Sequence, residues 1–139
     1  MPFRDPVTED SRPRACRRDE RGSAVVDFVL VGGLLTVFFL AIIQLTLVLH
    51  VHNTLVDAAS SGARYGTLAD RTPSDARERT ADLIGTALNA DYSRDISTSE
   101  ASSRGIRTLE VIVRAPLPVI GLIGAGPGLE VRGHAAFSD

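Results

Sequence analysis

FVLVGGLLTVFFLAIIQLTLVL, residues 28–49, carries no charged side chain over its 22 positions in a chain of 139 residues. A helix rises about 1.5 Å per residue, so this run spans about 33 Å, enough to cross the hydrocarbon core of a bilayer. Gly32, Gly33, Thr36, Gln44 and Thr46 interrupt it, and lipid tolerates them because a helix closes its own backbone hydrogen bonds. The alternative is a buried helix of a soluble core, but a chain this short has too little other mass to surround one. A cleavable secretory signal would have a shorter apolar stretch and a shorter charged start. The run therefore predicts a single transmembrane helix, and the rest of the chain is read outward from it.

Whole-chain averages conceal this arrangement. With 44% hydrophobic and 23% charged residues and a net charge of -2, composition alone resembles an ordinary soluble protein. Charge is instead segregated: residues 1–22 are polar and Arg-rich, and from Asn53 onward the sequence is mixed. All 15 basic residues are arginine and form no long basic patch, so no nucleic-acid partner is directly predicted. Arg12, Arg14, Arg17, Arg18 and Arg21 crowd the N-terminal flank of the run, whereas only Arg64 and Arg71 follow at some distance. That asymmetry predicts an N-terminus inside and a C-terminus outside. Cys16 is the one cysteine, so no intramolecular disulfide forms and any outer domain is held by packing alone.

The junction before the run reads Arg17-Arg18-Asp19-Glu20-Arg21-Gly22-Ser23-Ala24-Val25-Val26-Asp27-Phe28: a basic leader, a glycine, small and apolar residues, one carboxylate and an aromatic. This resembles a type IV prepilin cleavage site. The resemblance implies that a membrane-embedded prepilin peptidase cuts after Gly22, leaving Ser23 as the new N-terminus and Asp27 as the fifth mature residue. Physical chemistry is compatible with this, since glycine leaves its carbonyl unobstructed and an extended leader can enter the protease. A carboxylate near a helix start is favoured by the helix dipole and can pair with the freed amine of Ser23, on its own or a neighbouring subunit. As an ordinary interfacial acid, Asp27 would stabilise the helix N-terminus in the headgroups. Glutamate is usual at this position in pilins, and Asp27 is one methylene shorter.

Beyond the run, residues 50–66 contain no proline and keep apolar residues at helical spacing, so the helix is expected to continue to about Gly66. Ala58, Ala59, Gly62 and Ala63 form a small-residue packing face. Such a face admits another helix closely, and two partners stay open: a neighbouring subunit in a filament or assembly complex, and the chain's own outer domain. The run Asp57-Ala58-Ala59-Ser60-Ser61-Gly62-Ala63-Arg64-Tyr65-Gly66 is similar to the Gly-Ala-Arg-Tyr segment of TadE-like proteins, pseudopilins of the tight-adherence type IV pilus system. The resemblance is strongest over residues 21–66.

Thr72-Pro73-Ser74-Asp75 reads as a helix start, with a capping threonine, proline at the first helical position and an acid in the first turn. A helix from about Pro73 to Asn89 follows, with an apolar stripe of Ala76, Leu83, Ile84, Ala87 and Leu88. The period then changes to two. Gly105 to Arg114 is the clearest strand, Ile96 to Ser99 a short edge strand, and Leu129 to Phe137 the last. The expected fold is α+β: a long N-terminal transmembrane and stalk helix, one amphipathic helix and a small C-terminal antiparallel sheet. Its organisation is a leader over 1–22, predicted to be cleaved, a transmembrane and stalk helix over 23–66, and an extracytoplasmic head over 67–139.

The glycine-rich stretch Gly121 to Gly128 lacks the lysine and the following helix of a phosphate loop, so it reads as a hairpin loop whose apolar start, Pro118 to Ile123, can touch a membrane or a partner. His50 and His52 point to different sides of a helix, and His134 is distant in sequence, so no metal site is expected. No nucleophile–base set or carboxylate pair assembles from local spacing, and the head is small. The sequence thus predicts a non-enzymatic protein without a cofactor. The leading reading is a pseudopilin or minor pilin processed after Gly22 in the bacterial cytoplasmic membrane, with possible incorporation in a surface pilus. The family implies as partners the membrane, a prepilin peptidase, other pilin or pseudopilin subunits, an inner-membrane platform and a secretion ATPase complex. The competing reading is an uncleaved single-pass protein whose outer domain binds a cell-envelope component. A third, a domain released by signal peptidase, requires cleavage within residues 58–63.

Overall fold

The computed structural model describes residues 1–3, 19–118 and 128–137. Cys16, five of the leader arginines (Arg4, Arg12, Arg14, Arg17 and Arg18) and most of the glycine-rich loop fall outside these residues. The chain divides into two compact units, residues 1–40 and 41–139. Helix α1, Asp19–Gly66, is 48 residues long and passes through both.

In the first unit the helical residues from Arg21 to Leu40 are exposed on every side, including Val25, Phe28, Leu34 and Phe38. A helix that is apolar all round is stable where its surroundings are apolar too, as in a bilayer. Its start at Asp19 lies four residues ahead of the expected Ser23, because Asp19, Glu20 and Arg21 are competent helix residues and no breaker separates them from the run. Within the second unit, α1 acquires a covered stripe. Gln44, Leu47 and Val48 are half-buried, then Val51, Leu55, Ala58, Ala59, Gly62, Ala63 and Gly66 are buried. The intervals of three and four residues keep them on one face.

Helix α2, Pro73–Ala87, begins with a capping box: Asp75 N–H donates to Thr72 Oγ1, and Thr72 N–H donates to Asp75 Oδ2. Each bond satisfies an amide that the first helical turn leaves unpaired. The observed helix ends two residues before the expected Asn89, and the N–H of its C-cap Leu88 donates to the carbonyl of Ile84. Its buried positions are Ala76, Thr80 and Ile84, while Ala87 is exposed. The packing face is therefore rotated from the predicted stripe. Thr80 can enter the core because its Oγ1 donates to the Ala76 carbonyl at 2.8 Å, which removes the cost of burying a free hydroxyl. A 3-10 turn, Ala90–Ser93, leads to the sheet.

Strands β1 (Asp95–Ser103), β2 (Ile106–Ala115) and β3 (Leu129–Ala136) form an antiparallel sheet in the order β1-β2-β3. Arg104 and Gly105, at φ 55° and 81°, make the two-residue turn between β1 and β2, a left-handed pair that matches the twist of a hairpin. Strand β1 is longer than the predicted edge strand at 96–99. It carries a single buried apolar side chain, Ile96, so polar residues such as Ser97, Ser99 and Ser102 gave little alternation to read, yet pairing with β2 runs from Asp95↔Arg114 to Ser103↔Ile106. On β2, Leu109, Val111, Val113 and Ala115 face the core and alternate with Thr108, Glu110, Ile112 and Arg114. Val113 aligns with Ile96 and Val131, and Val111 with Thr98 and Gly133. The core of this unit combines those side chains with Val51, Leu55, Ala58, Ala59 and Ala63 of α1 and Ala76 and Ile84 of α2.

The observed architecture is thus α+β, with one long apolar helix, a second helix and a three-stranded antiparallel sheet.

Candidate assembly and processing site

Arg21, Gly22, Ser23 and Asp27 occupy the first turns of α1 and are exposed. Among the described residues, a Cβ placed on Gly22 meets nothing within 4 Å, so no other described segment packs against this position. Gly22 is helical, not extended as the cleavage-site resemblance implies; a protease that binds an extended chain must unwind this end of α1, whose first amides, from Asp19 to Arg21, have no intrahelical acceptors. Ser23 and Asp27 are four residues apart on the helix, hence one above the other on a single face. That placement allows an amine at residue 23 to meet the Asp27 carboxylate within one chain, or to offer the same pair to a neighbour.

Further along α1, the polar side chains of the apolar run have acceptors. Thr36 Oγ1 donates to the Gly32 carbonyl at 2.8 Å and Thr46 Oγ1 to the Ile42 carbonyl at 2.9 Å. Gln44 Nε2 donates to the carbonyl of Pro118. Each bond lowers the cost of placing that group in an apolar medium.

The small-residue face has an intramolecular partner. A Cβ added at Gly62 would come within 2.9 Å of the Ala76 carbonyl oxygen and closer to Thr80 Oγ1, and one at Gly66 would crowd Ala76 and Leu109. Ala58, Ala59 and Ala63 are buried in the same core. Of the two partners left open by the sequence, these four residues meet the chain's own α2 and sheet. Gly133 is the counterpart that sequence reading missed: a Cβ there would stand 2.6 Å from the Ala59 carbonyl oxygen, with the Ala59 carbonyl carbon and Ser60 nitrogen nearer still. Its signal was a glycine inside an alternating strand, which marks close backbone approach.

The outward face of the sheet is a charge ladder. Glu130 accepts from Arg114 at 2.9 Å and from Arg132 at 2.7 Å, and Arg132 also reaches Glu110 at 3.3 Å. Hydrogen bonds from Arg132 and Arg114 hold the Glu130 carboxyl below its ordinary pKa, and the same pairing raises that of Arg132. Asp75 is likewise held low, first by the backbone N–H of Thr72 and then by its hydroxyl. Beside α2, Tyr65 lies under Arg71, whose guanidinium carbon is 4.7 Å from the ring centroid. His50 and His134 are exposed and His52 is half-buried. Among the described residues, no three His, Cys, Asp or Glu side chains converge as a metal site.

An open glycine junction, an all-round apolar helix and a small-residue continuation are the features on which the pilin-type resemblance rests. Residues 22–64 match the family model described as TadE-like protein. No curated protein and no solved structure matches the chain. The TadE-like match starts at Gly22 and ends at Arg64, so it takes in the junction from the glycine onward and the small-residue run as far as Gly62-Ala63-Arg64. The TadE-like segment also includes the stretch of α1 that is long and apolar enough to cross a membrane, in keeping with membrane anchoring.

Proposed function

We propose that this chain is a pseudopilin or minor pilin-like structural subunit used in assembling a tight-adherence pilus, and that its role is mechanical and not catalytic. The observation that carries the reading is the TadE-like match over residues 22–64, which begins at the residue proposed for cleavage. In this proposal the precursor inserts with its N-terminus inside, prepilin peptidase cuts between Gly22 and Ser23, and α1 retains the product in the membrane. The freed amine of Ser23 then pairs with Asp27, which offsets the cost of a carboxylate at the membrane boundary. Residues 1–22 act as leader, 23–66 as membrane and stalk helix, and 67–139 as the head that selects partners.

With the small face of α1 occupied by the head, subunit contacts fall to the exposed apolar surface before Ala41. Leu34, Val37 and Phe38 are all more than half exposed there. Other pilin subunits, the inner-membrane platform and the secretion ATPase complex are the partners of this proposal. The test is the N-terminal sequence and intact mass of the protein recovered from membranes that contain the peptidase and from membranes that lack it. A peptidase-dependent start at Ser23 is expected; a start at Met1 or Pro2 in both refutes processing and favours an uncleaved anchored protein.

A further inference from the structure

We propose that the start of the β2–β3 connection, Pro116 to Pro118, is a second lipid contact, a non-helical segment seated at the edge of the bilayer and held against α1 by Gln44. The inference rests on α1 crossing a membrane, and its own observation is where β2 delivers the chain. The half-buried Gln44 donates its side-chain amide to the Pro118 carbonyl, and Gln44 lies within the uncharged run at residues 28–49. It precedes Leu49 by five residues, which is about 7.5 Å along the helix axis. A span of the usual length of about 20 residues that ends at Gln44 begins at Val25, two residues after the proposed new N-terminus Ser23. Either placement puts the Pro118 carbonyl at or inside the boundary where water becomes scarce.

The segment suits that position. Its sequence is Pro116-Leu117-Pro118, and no charge occurs between Arg114 and Glu130. Irregular backbone is costly in lipid because of its unpaired N–H and C=O groups. Two prolines remove two of the donors, and Gln44 supplies the Pro118 carbonyl with a partner. Pro116 is exposed and Leu117 and Pro118 are half-buried, so the segment adds uncharged apolar residues beside a stretch of α1 whose Leu45 and Leu49 are exposed. That continuity with the apolar helix selects lipid as the occupant.

The test uses the full chain with Cys16→Ser in phosphatidylcholine–phosphatidylglycerol vesicles. Single cysteines are introduced by Leu117→Cys, Leu40→Cys and Ser102→Cys and carry an environment-sensitive fluorophore. Ser102 pairs with Arg107, and from there to Ala115 is eight residues of β2, roughly 26 Å. Nitroxide-bearing lipids are expected to quench the labels at residues 40 and 117, and aqueous iodide should reach both roughly fivefold less than the label at 102, as for an interfacial segment. Pro116→Cys, at an exposed neighbouring site, gives the same readout if the Leu117 variant does not fold. Iodide access at 116 or 117 equal to that at 102, with 40 still protected, overturns the proposal and leaves the crossing intact. Iodide access at 40 as well overturns the crossing itself. Disulfide formation between copies of the unlabelled Leu117→Cys chain at a rate that lipid dilution does not lower overturns it in favour of a second copy.

Discussion

Gly133→Ala tests the close approach of β3 to the α1 backbone in the second unit. The new methyl would meet the Ala59 carbonyl carbon, the Ala59 carbonyl oxygen and the Ser60 nitrogen, all inside 3.0 Å. These are backbone atoms of a helix, so no side-chain rotation relieves the contact. Restoring ordinary van der Waals separation requires α1 and β3 to part by about 1 Å, and overpacking of a tight core costs about 1–3 kcal/mol. Removing glycine from a strand interior returns about 0.5–1 kcal/mol of backbone entropy. Because the strain falls on the Ala59 and Ser60 backbone, we expect the upper part of that range, which after the returned entropy is a net loss of about 1.5–2.5 kcal/mol. The assay is amide hydrogen exchange of the full chain in detergent micelles, read at Leu109, Val111 and Val113, which lie in the middle strand and report opening of the core. Since about 1.4 kcal/mol is a factor of ten, exchange there should accelerate roughly 10- to 60-fold. Protection within a factor of two of the parent would refute the close packing of Gly133 on Ala59.

Gly85→Ala should do the opposite: a Cβ there meets nothing within 4 Å, so helix propensity acts alone and the head gains about 0.5–1 kcal/mol, measurable by the same exchange. Gly22→Leu meets equally open space and should block maturation, seen as an intact leader by mass, while β2 exchange stays unchanged; normal cleavage would remove Gly22 from the proposed processing site. Thr72→Ala deletes the side-chain half of the capping box and should cost about 1 kcal/mol, read as faster exchange of the first α2 amides. Asp75 and Glu130 have folded pKa values below their unfolded ones, so the unfolded state binds more protons as pH falls. Their stabilisation is complete above the ordinary carboxylate range and is lost as pH drops through that range to the lower folded values. Asp75→Asn combined with Glu130→Gln should flatten this acid-side decline in a thermal-unfolding series, and an unchanged decline would assign it to other carboxylates.

Local patterns were legible where one residue type and one spacing suffice. The uncharged run at 28–49, the capping signature Thr72-Pro73-Ser74-Asp75 and the alternation through Leu109, Val111 and Val113 each specify an element, because hydrophobic period and cap chemistry are properties of neighbours in sequence. Gly22, Ser23 and Asp27 lie together in the first turns of α1, a placement that follows from sequence position alone. Polar β1 was shortened in the reading because its pairing is imposed by β2 and not by its own side chains. The stripe of α2 was misplaced at Ala87 and Thr80, since a threonine bonded to the carbonyl one turn back is as buriable as an alanine.

What the sequence determined by itself is therefore a charge-flanked apolar helix with a glycine junction, followed by a helix and strands. Tertiary structure decided which partner takes the small face of α1. Ala58, Ala59, Gly62 and Ala63 would suit any close neighbour, and only the arrival of Gly133, Ala76 and Thr80 at that face assigns it to the head. It also brought Gln44 to Pro118, 74 positions apart. Such pairings join segments whose individual patterns carry no mark of each other, and packing settles them because close contact depends on the shape of both surfaces.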